Sequence, residues 1–298
     1  MSSNFSRRQF IKLSALFAGG VATMGAFTNR TPNSPSNPTD PASAQQPTFR
    51  ANAQTTGELI NANGEPMQNS PRAAAAAPVG KHRWVMVIDL AKCDGCKGCT
   101  KACGAMHFVP PNQEWIKIFE NSENSVAGSY FFPRPCMHCD NAPCAKVCPV
   151  GATFKREDGI VLVDQDRCIG CRYCIAACPY GARSFNWSEP PHTPAELAQS
   201  YSVEHNFPHR RGVVEKCIFC PELARNGKIP ACASECTMDA IYFGDQLEDA
   251  VTNHSGETVS FSQLIREKGG FRYMEELGTD PRVWYLPPRD RIYPAPKG

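Results

Sequence analysis

Neither sign of charge is in excess in this chain: 31 Lys and Arg stand against 29 Asp and Glu. No basic stripe interleaved with aromatics occurs, which argues against nucleic acid as a partner. Long apolar runs are missing as well. The stretch from Leu13 to Phe27 is softened by Gly19, Gly20 and Gly25 and falls short of the roughly 20 apolar residues that a membrane-crossing helix needs. There is no Gly-rich phosphate loop, no Ser–His–Asp arrangement and no carboxylate pair, so the sequence suggests no active site of its own. Cysteine is absent before Cys93 and after Cys236. All sixteen cysteines of the 298-residue chain therefore crowd into its middle.

The N-terminus reads as an address. Ser6-Arg7-Arg8-Gln9-Phe10-Ile11-Lys12 has the twin-arginine pattern, the apolar run follows it, and Ala42-Ser43-Ala44 offers small residues to a signal peptidase. An ordinary helix with a chance Arg pair is the bland alternative, but the three features occur in the order a signal requires. Residues 1–44 are taken as a twin-arginine signal peptide, giving a periplasmic location. Residues 45–80, rich in Pro, Ser, Asn, Thr and Gln, are taken as a disordered linker. Contact with a bilayer is then expected only through a partner or an uncleaved signal. Exported cysteine-rich chains usually form disulfides, whereas metal centres need reduced thiolates. The twin-arginine route carries proteins already folded, which removes that conflict.

The cysteines form an internal repeat. Motif I is Cys93, Cys96, Cys99 and Cys103, spaced C-x2-C-x2-C-x3-C. Motif II is Cys136, Cys139, Cys144 and Cys148, spaced C-x2-C-x4-C-x3-C. Motif III is Cys168, Cys171, Cys174 and Cys178, with the spacing of motif I, and motif IV is Cys217, Cys220, Cys232 and Cys236, spaced C-x2-C-x11-C-x3-C. A tight C-x2-C-x2-C loop can present three sulfurs to one iron–sulfur cube, and a fourth Cys three residues on is placed to reach a second cube, as in bacterial two-cluster ferredoxins. Zinc would favour two knuckles of two Cys each, and three Cys in one loop argues against it. Disulfides are disfavoured by the poor bridge geometry of such close spacings. Four [4Fe–4S] clusters on sixteen thiolates is the reading that uses every cysteine.

Around the motifs, His82 to Leu90 reads as a strand, and Thr153 to Val163 as a hairpin with Asp158-Gly159 at its turn. Ala240 to Asp245 reads as a further strand. Thr193-Pro194-Ala195-Glu196 has the form of a capping box opening a helix that runs to about Ser200, and Ser260 to Lys268, stopped by Gly269-Gly270, reads as another helix. Short hairpins and helices around metal indicate an α+β fold in residues 81–298. With four Cys available per cluster, His107 and His138 are expected to hydrogen-bond or pack near a cluster, not to ligate iron. Lys92, Lys97, Lys101, Lys146, Arg167, Arg172, Arg183 and Lys216 flank the motifs. They could raise cluster potentials, but a solvated surface is the default expectation for each.

Residues from about 84 to 290 resemble the four-cluster iron–sulfur subunit of the DMSO-reductase (complex iron–sulfur molybdoenzyme) superfamily, of the exported tetrathionate- and polysulfide-reductase-like or sulfite-reduction-complex-like type. The resemblance rests on Cys136-Met137-His138-Cys139-Asp140-Asn141-Ala142-Pro143-Cys144, Cys168-Ile169-Gly170-Cys171-Arg172-Tyr173-Cys174, Cys178-Pro179-Tyr180-Gly181-Ala182-Arg183, Gly212-Val213-Val214-Glu215-Lys216-Cys217 and the tail Leu277 to Pro287. It implies two ferredoxin-like modules, each holding two [4Fe–4S] clusters, related by a pseudo-twofold. Motifs II and III would lie in an inner module (131–190), and motifs I and IV in an outer one (81–130 with 191–298). It also implies the ligand sets. One cluster would take Cys93, Cys96, Cys99 and Cys236; a second Cys217, Cys220, Cys232 and Cys103; a third Cys136, Cys139, Cys144 and Cys178; a fourth Cys168, Cys171, Cys174 and Cys148. The implied role is electron relay between a molybdopterin catalytic subunit and a membrane quinone-reactive subunit. A free periplasmic polyferredoxin shuttle is the alternative. The long segments outside the motifs favour the subunit, because a shuttle needs little beyond cluster wrapping. An enzyme reducing substrate at a cluster would need an open iron site, which sixteen filled ligand positions argue against.

Overall fold

Trp84-Val85-Met86-Val87-Ile88-Asp89 is an almost continuous apolar run, as a strand covered on both faces requires. In the computed structural model, which describes residues 82–122 and 129–288, it forms strand β1 (Trp84–Asp89), buried at every position. Helix α1 (Gly98–His107) follows, then strands β2 (Lys117–Asn121) and β3 (Tyr130–Arg134) and helix α2 (Pro143–Lys146). Next come β4 (Thr153–Lys155), β5 (Val161–Val163), α3 (Tyr173–Ala176), β6 (Ser184–Phe185), α4 (Pro194–Leu197) and β7 (Val214–Glu215). The chain continues through α5 (Pro221–Arg225), α6 (Ala231–Ser234), β8 (Ile241–Asp245), β9 (Ala250–Thr252), β10 (Thr258–Ser260) and α7 (Phe261–Lys268). Strand β11 (Phe271–Arg272), a 3-10 turn at Glu275–Leu277 and β12 (Val283–Leu286) complete it. The expected signal peptide and linker lie outside the described residues.

A six-stranded sheet has the order β10-β9-β8-β1-β12-β11, and β2–β3, β4–β5 and β6–β7 form separate pairs. Strand β1 runs antiparallel to β8, with Met86 opposite Phe243, and parallel to β12, with Met86 opposite Val283. The period-2 alternation of β1 divides its side chains between two apolar layers. Trp84, Met86 and Ile88 join the main core, which contains cysteines of all four motifs. Val85 and Val87 pack with Tyr242, Val251 and Phe261 in a second layer beneath α7. Among the described residues no helix is long and apolar enough to cross a membrane.

The hairpin forms as its sequence suggests, with Thr153 opposite Val163 and Lys155 opposite Val161. Gly159 at its turn has φ +84°, and a Cβ there would fall 1.9 Å from the Arg282 guanidinium carbon, so only glycine fits. Helix α7 is capped by Ser260, whose hydroxyl accepts from the Gln263 N–H at 3.2 Å, and is ended by left-handed Gly269. Helix α4 departs from expectation: it stops at Leu197, not near Ser200. Thr193 Oγ1 accepts from the Glu196 N–H at 3.1 Å, but the Glu196 carboxylate does not return to Thr193. It accepts instead from the His209 backbone N–H at 2.8 Å and meets His192 at 3.0 Å, so only half of the box closes.

Candidate metal centres

The local backbone around the cysteines is left-handed at matching places. In each first C-x2-C the residue before the second Cys has positive φ: Gly95 (+76°), His138 (+43°), Gly170 (+69°) and Phe219 (+63°). Successive N–H groups in such a turn converge on a concave site that suits a negatively charged group. Glycine is required at two of the four. A Cβ at Gly95 would lie 2.5 Å from the Phe131 ring, and one at Gly170 would lie 2.3 Å from the Gly212 carbonyl oxygen. The other two carry rings that stack on each other, His138 on Phe219, with centroids 3.9 Å apart.

Four cavities open over these loops. The first is lined by Cys93, Cys96, Cys99 and Cys236, the second by Cys103, Cys217, Cys220 and Cys232. The third is lined by Cys136, Cys139, Cys144 and Cys178, the fourth by Cys148, Cys168, Cys171 and Cys174. Each thus gathers three cysteines of one motif and one of another, in the groupings that the resemblance implies. The exchange comes from the C-x3-C step. On α1, Cys99 and Cys103 stand one turn apart and face different cavities. In the other motifs the third Cys lies in a four-residue helix and the fourth just beyond its end: Cys144 and Cys148 around α2, Cys174 and Cys178 around α3, Cys232 and Cys236 around α6.

The donor set suits a thiolate-ligated cube. Every cysteine of the second quartet is buried, whereas Cys96 of the first and Cys171 of the fourth are exposed. Burial, reinforced by neighbouring thiols, pushes Cys103 and Cys232 well up, and burial with Cys236 and Cys93 nearby pushes Cys99 to about 12. Four such sulfurs become thiolates together only against a cationic partner. Cys148 is the exception: burial would raise it, but backbone N–H groups from Val150 to Thr153 hold it below the usual thiol range. The Cys236 sulfur likewise accepts from the Ala240 N–H at 3.4 Å.

His138 and His107 both lie in the interior beside cysteines. His138 Nδ1 accepts from the Val161 N–H at 3.1 Å, so Nε2 bears the proton and donates to the Cys217 carbonyl at 3.0 Å. Burial drives its pKa well down, with Lys216 nearby adding to the effect, and the ring is neutral. It joins the turn of motif II to the start of motif IV. His107 is pushed down to about 3 by burial and places Nε2 3.1 Å from the Cys220 sulfur. With Glu222, whose carboxyl burial raises to about 7, these form the one group of three among the described residues whose ligand atoms lie within 4.8 Å of one another. Cys220 also lines the second cavity, so His107 stands beside a sulfur of that quartet and not at a separate site.

Of the flanking cations, Lys97, Lys101, Lys146, Arg167 and Arg172 are exposed and Lys92 is half-buried. The default of a solvated surface fails for Arg183 and Lys216, which are 5% and 1% exposed. Lys216 Nζ donates to the carbonyls of Val161 and Cys217. Nothing in its local sequence marks it as different from the exposed lysines. Its burial follows from the meeting of β5 with the start of motif IV.

Two models of a 4Fe-4S dicluster domain match the chain, at residues 92–152 and 127–194. A selenate reductase subunit of Mesobacillus selenatarsenatis is 42% identical over 235 residues, covering 74% of this chain and 77% of that one. The menaquinone reductase iron-sulfur cluster-binding subunit of Nitratidesulfovibrio vulgaris is 38% identical over 246 residues, covering 71% and 91%. A tetrathionate reductase subunit of Salmonella typhimurium is 36% identical over 222 residues, covering 73% and 76%.

Proposed function

The chain belongs to the family of iron–sulfur electron-transfer subunits of the DMSO-reductase superfamily, and from that membership we propose that it holds four [4Fe–4S] clusters and relays single electrons between a molybdopterin catalytic subunit and a membrane quinone-reactive subunit. The observation that carries the count is the set of four cavities, each lined by four cysteines. A bound [4Fe–4S] cluster supplies one-electron transfer. The cysteines hold it, the left-handed turns direct N–H groups towards it, and the apolar walls exclude water. Consecutive quartets are joined pairwise. Helix α1 links the first and second, α2 and α3 link the third and fourth, and the Cys136 N–H bonded to the Cys217 sulfur links the second and third. With Cys96 and Cys171 at the surface, this order supports a wire whose two ends meet partners.

The exchange of cysteines between motifs I and IV, and between II and III, supports two ferredoxin-like modules related by a pseudo-twofold. The inner would span 131–190 and the outer 81–130 with 191–298. A periplasmic location reached by the twin-arginine route is supported by the sequence around Arg7 and Arg8. Membrane association would come through the complex.

Anaerobically purified protein should contain about 16 iron and 16 sulfide per chain. Zinc in place of iron, with no visible iron–sulfur absorption, would overturn the reading.

A further inference from the structure

Lys216 and Arg183 are buried cations that make no ion pair among the described residues. Lys216 Nζ is held by carbonyl oxygens only, those of Val161 and, at 2.8 Å, of Cys217. Val161 lines the third cavity and Cys217 the second, so the ammonium lies between those two quartets. Arg183 lines the third cavity, and its Nη1 donates to Thr153 Oγ1 at 3.2 Å. Its guanidinium also bonds the Cys144 sulfur and faces Cys136 and, from the fourth quartet, Cys174. Its Nη2 is buried with no protein partner. A charge this deep without a carboxylate is costly, and both charges converge on one quartet. The first quartet has no equivalent: the charged residues lining its cavity, Asp94 and Lys97, are exposed.

We propose that Lys216 and Arg183 are positioning charges that make the centre held by Cys136, Cys139, Cys144 and Cys178 the first of the four to accept an electron. The inference rests on the cluster reading above. Reduction adds one negative charge, and a fixed cation in a poorly polarisable interior favours the reduced form. One electron leaves a reduced neighbour, one is gained at the third quartet, and no proton or covalent bond changes hands. The two cations act on different neighbours, Lys216 on the second quartet and Arg183 on the fourth, and share only the third. An electron entering at either end is thereby drawn to an interior centre, away from the exposed cysteines Cys96 and Cys171. A purely structural role, tying β5 to motif IV, would leave the potentials unmoved by loss of charge.

The test is a redox titration of the anaerobic full-length holoprotein, followed by EPR. Lys216→Gln keeps an amide donor for the carbonyls and removes the charge; Arg183→Gln does the same at the other site. Each should lower the reduction equilibrium of two components roughly tenfold, about 59 mV for one electron. One component should be moved by both variants, and it should be the first reduced in the unmodified protein. Lys216→Arg should leave all four in place. The proposal is overturned if the two variants share no component, if the shared one is not the first reduced, or if all four move together. Should the neutral variants shed iron, Cys139→Ser decides the matter with both cations present. The first-reduced signal must change there and persist in Cys99→Ser and Cys171→Ser; its survival in Cys139→Ser overturns the proposal. Absence of any iron–sulfur signal from the unmodified protein would instead overturn the cluster reading.

Discussion

Gly170 and Gly104 both adjoin the cysteine motifs, yet their requirements are opposite. Gly170 has φ +69° and no room for a Cβ beside the Gly212 carbonyl. Gly104 lies within α1 and would meet nothing within 4 Å. Gly170→Ala should cost about 2 to 3 kcal/mol and loosen the fourth centre, whereas Gly104→Ala should gain about 0.5 to 1 kcal/mol. Loss of visible iron–sulfur absorption in denaturant measures both, and equal behaviour of the two would discount the left-handed turn. His209 presents a different residue-level effect. Its Nδ1 faces the Glu215 carboxylate at 2.7 Å and its Nε2 the His107 carbonyl at 2.8 Å, so both nitrogens donate. Burial alone would lower its pKa, but the bond to Glu215 outweighs it and raises it. Below the unfolded value of about 6.5 the ring is protonated in both states and its contribution is complete. As pH rises through the raised folded value the contribution is lost. Thermal unfolding of the holoprotein should therefore shift downward on the alkaline side, and His209→Gln should flatten that slope while starting lower. An unchanged slope in the variant would assign the pH dependence elsewhere.

At the scale of elements, the decisive device is the short helix that serves two cavities. Because Cys99 and Cys103 sit one turn apart on α1, a change at one sulfur leaves the other's cavity intact. Cys99→Ser should alter a single EPR component and spare those of the third and fourth quartets, whose cysteines lie between Cys136 and Cys178. Loss of all four signals from a folded protein would mean that the quartets stand or fall together. The spacing of the motifs made this division readable in advance, since a fourth Cys three residues on is placed to reach a second cube. The ends of α4 were less readable. Thr193 and Glu196 have the pattern of a closed capping box, but Glu196 is claimed by His209, thirteen residues on, through a contact no local pattern announces.

For the whole molecule, the proposed twin-arginine export requires folding to finish before the protein meets an oxidising compartment, because protected thiolates cannot be assembled from sixteen oxidising thiols. Replacing Arg7 and Arg8 with Lys should leave folded, cluster-loaded protein in the cytoplasm when the chain is expressed without partners. Fractionation and iron content give the readout, and undiminished export would remove the twin-arginine assignment. The central sheet shows why the ends of the described region cannot be treated as dispensable. Strand β1 precedes motif I, yet it pairs with β8 after motif IV and with β12 near residue 286, so one sheet joins the two ends of the cysteine region.

Local spacing specifies the chemistry: four cysteine motifs, two of them at ferredoxin spacing, the hairpin around Asp158-Gly159, the apolar strand from Trp84 and the capped helix at Ser260. These are legible because each depends on residues a few positions apart. Long-range packing settles which lysine is buried. Lys216 and Lys97 each stand beside a cysteine, but only Lys216 is enclosed, because β5 and the start of motif IV arrive from distant parts of the chain and offer it two carbonyls. The same packing makes His138 and Phe219, at corresponding places in motifs II and IV, stack across the junction between the second and third quartets. Three cysteines of each quartet share one motif and are written in its spacing; the fourth, like the charge and hydrogen bonds around the cavity, comes from another segment of the chain, which spacing does not encode.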